Sequence, residues 1–239
     1  MRAAASGRIV AVTEQREPAP SGPEVADLTI AVLGGTGDQG RGLARRFGAA
    51  GNPVIIGSRS EERAAAAAAE LGGGNIRGMA NAGAARAADV VIVAVPWDGH
   101  RELLGMLAAD LAGKIVIDCV NPLGFDKRGA YPLRVAEGSA AEQAAAVLPE
   151  STVVGAFHHV SSVLLLDPGV REVDLDVLVL GDDREATDLV QALAGRIPGV
   201  RGVYAGRLRN CGQVEALTAN LVSINRRYKA HAGLRITDI

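Results

Sequence analysis

The chain has 239 residues, enough for one large or two small domains with a core that needs neither disulfides nor metal. A net charge of −2 and only 3% aromatic residues exclude a general nucleic-acid binder, which would be basic and would need aromatic faces for base stacking. With 48% hydrophobic residues the bulk of the chain is not disordered, and no apolar run reaches the roughly 18 residues of a membrane span.

Residues 1–27 read as an N-terminal extension. Charges at Arg8, Glu14, Arg16, Glu17 and Glu24 leave no long apolar stretch, so it is not a secretory signal. Ile9–Val12 could form a short strand, and Pro18–Pro23 looks like a tether. Leu28–Leu33 is an apolar run ending in glycine and reads as a buried strand. Residues 38–50 carry Leu43, Ala44, Phe47 and Ala50 at helical spacing. Val54–Ile56 is the next strand and Ser60–Leu71 an Ala-rich helix. There Ser60 reads as N-cap, with Glu61 and Glu62 where the helix dipole favours carboxylates. Asp89–Val95 is continuous and β-branched, a strand buried on both faces. Trp97–Leu111 reads as a helix and Lys114–Cys119 as a strand.

Further strands are expected at Thr152–Ala156, Val177–Leu180 and Val200–Tyr204, with helices at Ala140–Leu148, Arg184–Arg196 and Cys211–Lys229. Strand alternating with helix implies right-handed βαβ units. The fold class is α/β, a Rossmann-type doubly wound parallel sheet, with 28–155 as its dinucleotide-binding domain. Cys119 and Cys211 form no CxxC pair and read as reduced, buried thiols of a cytoplasmic protein.

Gly35, Gly37 and Gly40 make G-x-G-x-x-G between a strand and a helix, the context in which that motif has meaning. Gly35 is expected to take the tight turn, Gly37 to let backbone approach a pyrophosphate, and Gly40 to let the helix pack on the strand. With Thr36, Asp38 and Gln39, the turn presents helix N–H groups to phosphate. An NAD site usually has an acid about 20 residues past the glycines, for the ribose 2′-OH. Here the second strand ends in Gly57-Ser58-Arg59-Ser60, a hydroxyl and a cation that suit a 2′-phosphate and therefore NADP(H). Arg63, four residues on, shares a helix face with Arg59 if the helix starts early; otherwise it is a solvated helix residue.

Val95-Pro96-Trp97 stands at the carboxyl end of its strand, where ligands of open α/β sheets bind. Trp97 could line that cleft or simply cap the core, and His100 reads as a surface helix residue. Asn121-Pro122 could line the cleft too, although Asn-Pro is also a turn signal. His158 and His159 are adjacent on an extended segment and face opposite ways. They therefore do not share a metal, while one of them can line the cleft. No metal motif, no Ser-His-Asp set and no isolated pair of carboxylates is visible. Such a site fits hydride transfer between two cofactors better than alcohol oxidation, which moves a proton too.

The turn 34–40, the Gly57-Ser58-Arg59 step with Glu62 after it, and Pro96-Trp97 resemble the NADPH-dependent coenzyme F420 reductases, or reduced-F420:NADP oxidoreductases. Ala156-Phe157-His158-His159-Val160 and the tail Asn225–Thr237 are similar to the same family, and the likeness runs over about 28–237. The resemblance implies hydride transfer between C4 of the nicotinamide and C5 of the deazaflavin, with NADP(H) and coenzyme F420 as small-molecule partners. It implies a small C-terminal α+β domain at 156–239 and a cleft between the domains. Thr36, Ser58, Arg59 and Arg63 would hold the 2′-phosphate, while Pro96-Trp97 and His158, His159, Val160 and Ser161 would shape the ring pocket. The C-terminal helix would help form a homodimer. Two other readings share the N-terminal fold: an NADPH-dependent reductase of a small imine or keto acid, and a redox sensor that binds NADP(H) without turnover.

Overall fold

The computed structural model describes residues 24–239, so the expected strand at Ile9–Val12 and tether at Pro18–Pro23 lie outside the described residues. The chain alternates β1 (Ile30–Leu33), α1 (Asp38–Ala49), β2 (Val54–Ser58), α2 (Glu61–Leu71), β3 (Ile76–Ala80), α3 (Asn81–Ala87), β4 (Val90–Val93), α4 (His100–Leu111) and β5 (Ile115–Asp118). A hairpin of β6 (Leu123–Asp126) and β7 (Gly129–Pro132) precedes α5 (Ala140–Val147), β8 (Thr152–Gly155) and the short α6 (Ser162–Leu166). Then come β9 (Leu175–Gly181), α7 (Arg184–Ala194), β10 (Val200–Gly206) and the long α8 (Cys211–Tyr228).

One eight-stranded sheet runs β10-β9-β8-β5-β4-β1-β2-β3. From β3 through β8 every pairing is parallel, which puts all those carboxyl ends on one edge. β9 then pairs antiparallel with β8 at Val154↔Gly181 and Gly155↔Leu180, and β10 runs parallel to β9. The strands after residue 155 therefore extend the same sheet, pointing the other way.

Alternate residues of the central strands feed two cores, as the two-residue pleat requires. Val32, Ile56, Ile92 and Ile117 pack with Leu43 and Phe47 of α1 and Val190 of α7. Leu33, Ile55, Val91 and Val116 pack with Ala84 of α3, Leu104 of α4, Ala144 of α5 and Val214 of α8. Strand β3 was not foreseen because Arg77 and Gly78 break its apolar pattern; it is the half-buried edge of the sheet. At Gly78 an added Cβ would lie 2.2 Å from the backbone of Ala64 and Ala65, so α2 rests directly on that edge.

Arg46 ties α1 to the segment after β8. Its buried guanidinium donates to the carbonyls of Leu164, Leu165 (2.9 Å) and Val170 (2.8 Å). Gly42 on the same helix leaves room for Leu165, which sits 2.6 Å from where a Cβ would be. These contacts fix the loop that follows His158 and His159 against the first helix of the sheet.

Candidate functional site

The glycine turn forms as expected, with its roles distributed differently. The left-handed residue is Gly34 (φ +74°), where a Cβ would also lie 2.5 Å from the Ala94 carbonyl oxygen. Gly35 instead is crowded by Val32 O at 2.7 Å, and its N–H donates to the Val32 and Gly57 carbonyls. Gly40 packs α1 against the turn, since a Cβ there would meet Gly35 Cα at 2.7 Å. Gly37 has ordinary room, 3.6 Å to its nearest neighbour, and as N-cap of α1 it supplies no side-chain cap. The open helix N-terminus above it is thus available to an anion.

A pocket of about 580 Å³ opens there, lined by Thr36, Gly37, Asp38, Gln39, Ser58, Arg59, Arg63, Val95 and Pro96 among others. Ser60 caps α2 by accepting from the Arg63 N–H at 3.3 Å, so Arg59 lies before the helix and Arg63 in its first turn; both still reach the same pocket. Neither guanidinium has a carboxylate within ion-pair distance among the described residues. Two free cations beside the buried Ser58 hydroxyl are the donor set of a phosphate monoester site.

A second pocket of about 340 Å³ adjoins the first and shares Gln39, Ala94 and Val95 with it. Asn121, His158, His159, Val160 and Ser161 line it, as do Cys119, Thr218, Leu221 and Asn225, which the sequence reading passed over. The carboxyl ends of β5 and β8 deliver the first group and Cys119, and α8 delivers Thr218, Leu221 and Asn225. Gln39 donates to the Phe157 carbonyl at 3.2 Å, and Asn121 Nδ2 donates to the His158 carbonyl at 2.8 Å. Those two amides pin the 157–158 backbone between β5 and the glycine turn.

Phe157 adopts φ +63°, a conformation that costs a bulky residue of order 1–3 kcal/mol and that persists only where packing over-determines it. Here its buried ring meets Phe47 edge-on, with centroids 5.9 Å apart.

Both histidines that follow are buried and electrically neutral near pH 7. Burial pushes His158 down to about 4, although the Asp118 charge opposes this. Burial likewise lowers His159 to about 4 against the pull of Asp176. His159 Nε2 accepts from the Leu178 N–H at 3.3 Å, so its proton sits on Nδ1, which has no protein partner. His158 lies 3.9 Å from Glu215, a carboxyl that burial lifts to about 7 despite the N–H groups of Ala140 and Ala141 that it accepts.

Two expectations are corrected. His100 is not on the surface: it is fully buried, with Nε2 2.6 Å from Asp118 and Nδ1 3.0 Å from Gln143. Burial alone would lower its pKa, but the bonds and charge of Asp118 and Gln143 outweigh that and raise it. Trp97 lines neither pocket; its indole stacks on the His100 ring with centroids 5.6 Å apart, while α4 begins only at His100 after Gly99 (φ +91°). Among the described residues no group of three His, Cys, Asp or Glu is placed for a metal, and no helix is long and apolar enough to cross a membrane.

A parallel sheet whose carboxyl edge carries a glycine turn, two cations without ion-pair partners among the described residues and an adjoining second pocket is the architecture of a Rossmann-type, dinucleotide-dependent oxidoreductase. Residues 29–122 match the family described as NADP oxidoreductase, coenzyme F420-dependent. The F420-dependent NADP reductase of Methanothermobacter marburgensis is 40% identical over 223 residues, 89% of this chain and 99% of that protein. The enzyme of the same name from Methanocaldococcus jannaschii is 40% identical over 224 residues, again 89% and 99%. A crystal structure from Arthrobacter sp. FB24, described as a candidate F420-dependent NADP reductase, matches with TM-score 0.76 and 27% identity over 88% of this chain and 100% of that one. The chain belongs to the family of F420-dependent NADP reductases.

Proposed function

We propose that this protein transfers a hydride reversibly between NADP(H) and the deazaflavin coenzyme F420. The observation that carries the reading is the pair of adjoining pockets. One is equipped for a phosphorylated dinucleotide, the other is walled by neutral imidazoles and small apolar side chains, and they share Gln39, Ala94 and Val95. A nicotinamide reaching the end of the first pocket would meet a ring seated in the second at that common wall.

In this reading residues 28–155 form the NADP-binding domain, and 156–239 the small domain that completes the F420 cleft. Thr36, Ser58, Arg59 and Arg63 hold the 2′-phosphate, and the turn from Gly35 to Gly40 receives the pyrophosphate. The bound rings supply the hydride chemistry. The chain supplies position, which can account for most of such a barrier when the reacting carbons are held about 3–3.5 Å apart. Asn121 and Gln39 keep the 157–158 backbone in place, and the neutral His158 and His159 present no charge that would compete with the moving one.

The test mixes the full chain with NADPH and oxidised F420 and follows the deazaflavin's visible absorbance. Bleaching is expected; its absence at saturating NADPH, with turnover of a cyclic imine instead, would overturn the reading.

We further propose a cytoplasmic homodimer. The exposed apolar side chains Phe125 (70%), Tyr131 (43%), Ile224 (40%) and Tyr228 (73%) belong to the hairpin and α8, which pack together, and a second copy would cover them. Sedimentation should show a dimer that Tyr228→Glu with Phe125→Glu dissociates; a wild-type monomer at micromolar concentration would refute it.

A further inference from the structure

We propose that Asp176 is a positioning residue of the second pocket: by anchoring the tail at 229–236 it sets where Ala232 and the Asn225 carboxamide stand in the pocket wall. The inference rests on the F420 reading of that pocket and adds which remote residue controls F420 affinity.

The reason begins at an open strand edge. β10 covers one side of β9, but on the other side β8 reaches only Leu180 and Gly181. The N–H groups of Asp176 and Leu178 on that side still need acceptors. The Leu234 carbonyl takes the first at 2.8 Å, and His159 Nε2 takes the second at 3.3 Å. Gly233 lets the tail lie close on β9, since a Cβ there would stand 2.9 Å from Leu175 Cβ. Two parts of the second pocket, the histidine segment and the tail, are thus fastened to one strand two residues apart.

The Asp176 side chain does the rest of the fastening. It is fully buried, and a carboxylate there must be compensated by donors and opposite charge. The tail supplies the Ile236 N–H to Oδ2 at 2.6 Å and the Arg235 guanidinium to Oδ1 at 2.9 Å. Arg201 of β10 donates to Oδ1 at 2.9 Å and to Oδ2 at 2.8 Å. The same guanidinium reaches the main-chain oxygens of Ile236 (2.8 Å) and Ile239 (2.9 Å), so it clips the tail to the carboxylate from the far side. The Arg201 bonds hold the Asp176 carboxyl below the usual carboxylate range against the opposing effect of burial.

The anchor acts on the pocket through Ala232, two residues before Leu234. Ala232 lines the pocket, and its N–H donates to Asn225 Oδ1 at 2.7 Å. That bond decides which end of the Asn225 carboxamide is which, because only the oxygen accepts. The other carboxamides lining the pocket, Gln39 and Asn121, each donate to a carbonyl of the 157–158 backbone. Asn225 Nδ2 has no acceptor among the described residues, and it is the amide that α8 can offer to an occupant of the pocket. A tail released from Asp176 would free Ala232, and with it the orientation of that amide.

Two variants of the full chain test this. Asp176→Asn keeps the size of the side chain and removes its charge; Arg201 and Arg235, 40% and 45% exposed, can then turn to water. Ile236→Pro alters an exposed tail residue and deletes only the N–H that Asp176 accepts. Each is expected to raise KM for F420 about ten-fold, with kcat and the Kd for NADPH within about two-fold of wild type. NADPH is titrated by its nicotinamide fluorescence without F420. Hydrogen exchange at the Ala232 amide, also measured without F420, should quicken in both variants. An unchanged KM for F420 in both, or equal losses for F420 and NADPH, would overturn the positioning role. A wild type that never bleaches F420 would overturn the F420 reading instead. Quickened exchange at Ala232 would then still support Asp176 as the anchor of the pocket wall, and unchanged exchange would overturn that as well.

Discussion

Arg59→Ala should weaken NADPH by about 2–4 kcal/mol, roughly 30- to 1000-fold in Kd, and leave NADH almost unchanged. The guanidinium is exposed, so salt screens part of the effect and the lower half of that range applies at physiological ionic strength. The asymmetry between nucleotides is the informative part. NADH lacks the 2′-phosphate, and a cation with no carboxylate partner has little else to hold at this place in the fold. Arg63→Ala should show the same sign with a smaller size, because Arg63 already sits in the first turn of α2. Fluorescence titration of both nucleotides at two salt concentrations checks this. Parallel losses for NADPH and NADH would mean that Arg59 supports the pocket without reading the phosphate.

Acidification should destabilise the protein between about pH 6.5 and about pH 4, where His158 and His159 must take up protons in a buried site. A depressed folded-state pKa contributes stability above the unfolded value, and that contribution is lost as pH falls through the folded value. For each histidine the loss is about 3 kcal/mol. Glu215 acts in the opposite direction. Its carboxyl, lifted to about 7 by burial, stabilises the fold in its protonated form, and that contribution disappears as pH rises through about 7. His100, whose pKa is raised, works in the same direction as Glu215. Two histidines against one carboxyl leave a net acid loss of about 3 kcal/mol, reduced further by His100. Urea midpoints measured from neutral pH down to the acid limit should fall accordingly, and His159→Gln should flatten the slope. A midpoint independent of pH across that window would show that the imidazoles titrate normally.

Much of this was legible in the sequence, for identifiable reasons. β1, β2, β4 and β5 are short apolar runs bounded by glycine or polar residues, and burial on both faces demands just such runs. The Ser60 cap and the glycine turn are local chemistry, readable from neighbouring residues alone. Periodicity could also have located His100, which shares its helix face with Leu104, Leu107 and Leu111 at spacings of four, seven and eleven. The flanking Gly99, Arg101 and Glu102 made that face look like surface. Glu215 is a parallel case, aligned with Cys211 and Ala219 on the buried side of α8.

Other features depended on distant partners. The hairpin at 123–132 leans on α8, roughly a hundred residues later, and an apolar pattern as short as Leu-Gly-Phe carries no such information. The positive φ of Phe157 follows from Phe47 and from the amides of Gln39 and Asn121, none of which is near it in sequence. The same holds for the meeting of the two pockets, which needs six strands to end on one edge before Gln39 and Asn121 become neighbours of His158.

The reversal of direction between β8 and β9 has an engineering consequence. The loops after β9 and β10, at Asp182–Asp183 and Arg207, leave the sheet on the edge opposite the carboxyl ends of β1, β4, β5 and β8. A fluorophore, a surface tether or an inserted peptide placed at Asp182–Asp183 would thus report on or immobilise the molecule without touching the residues that line either pocket at the glycine turn.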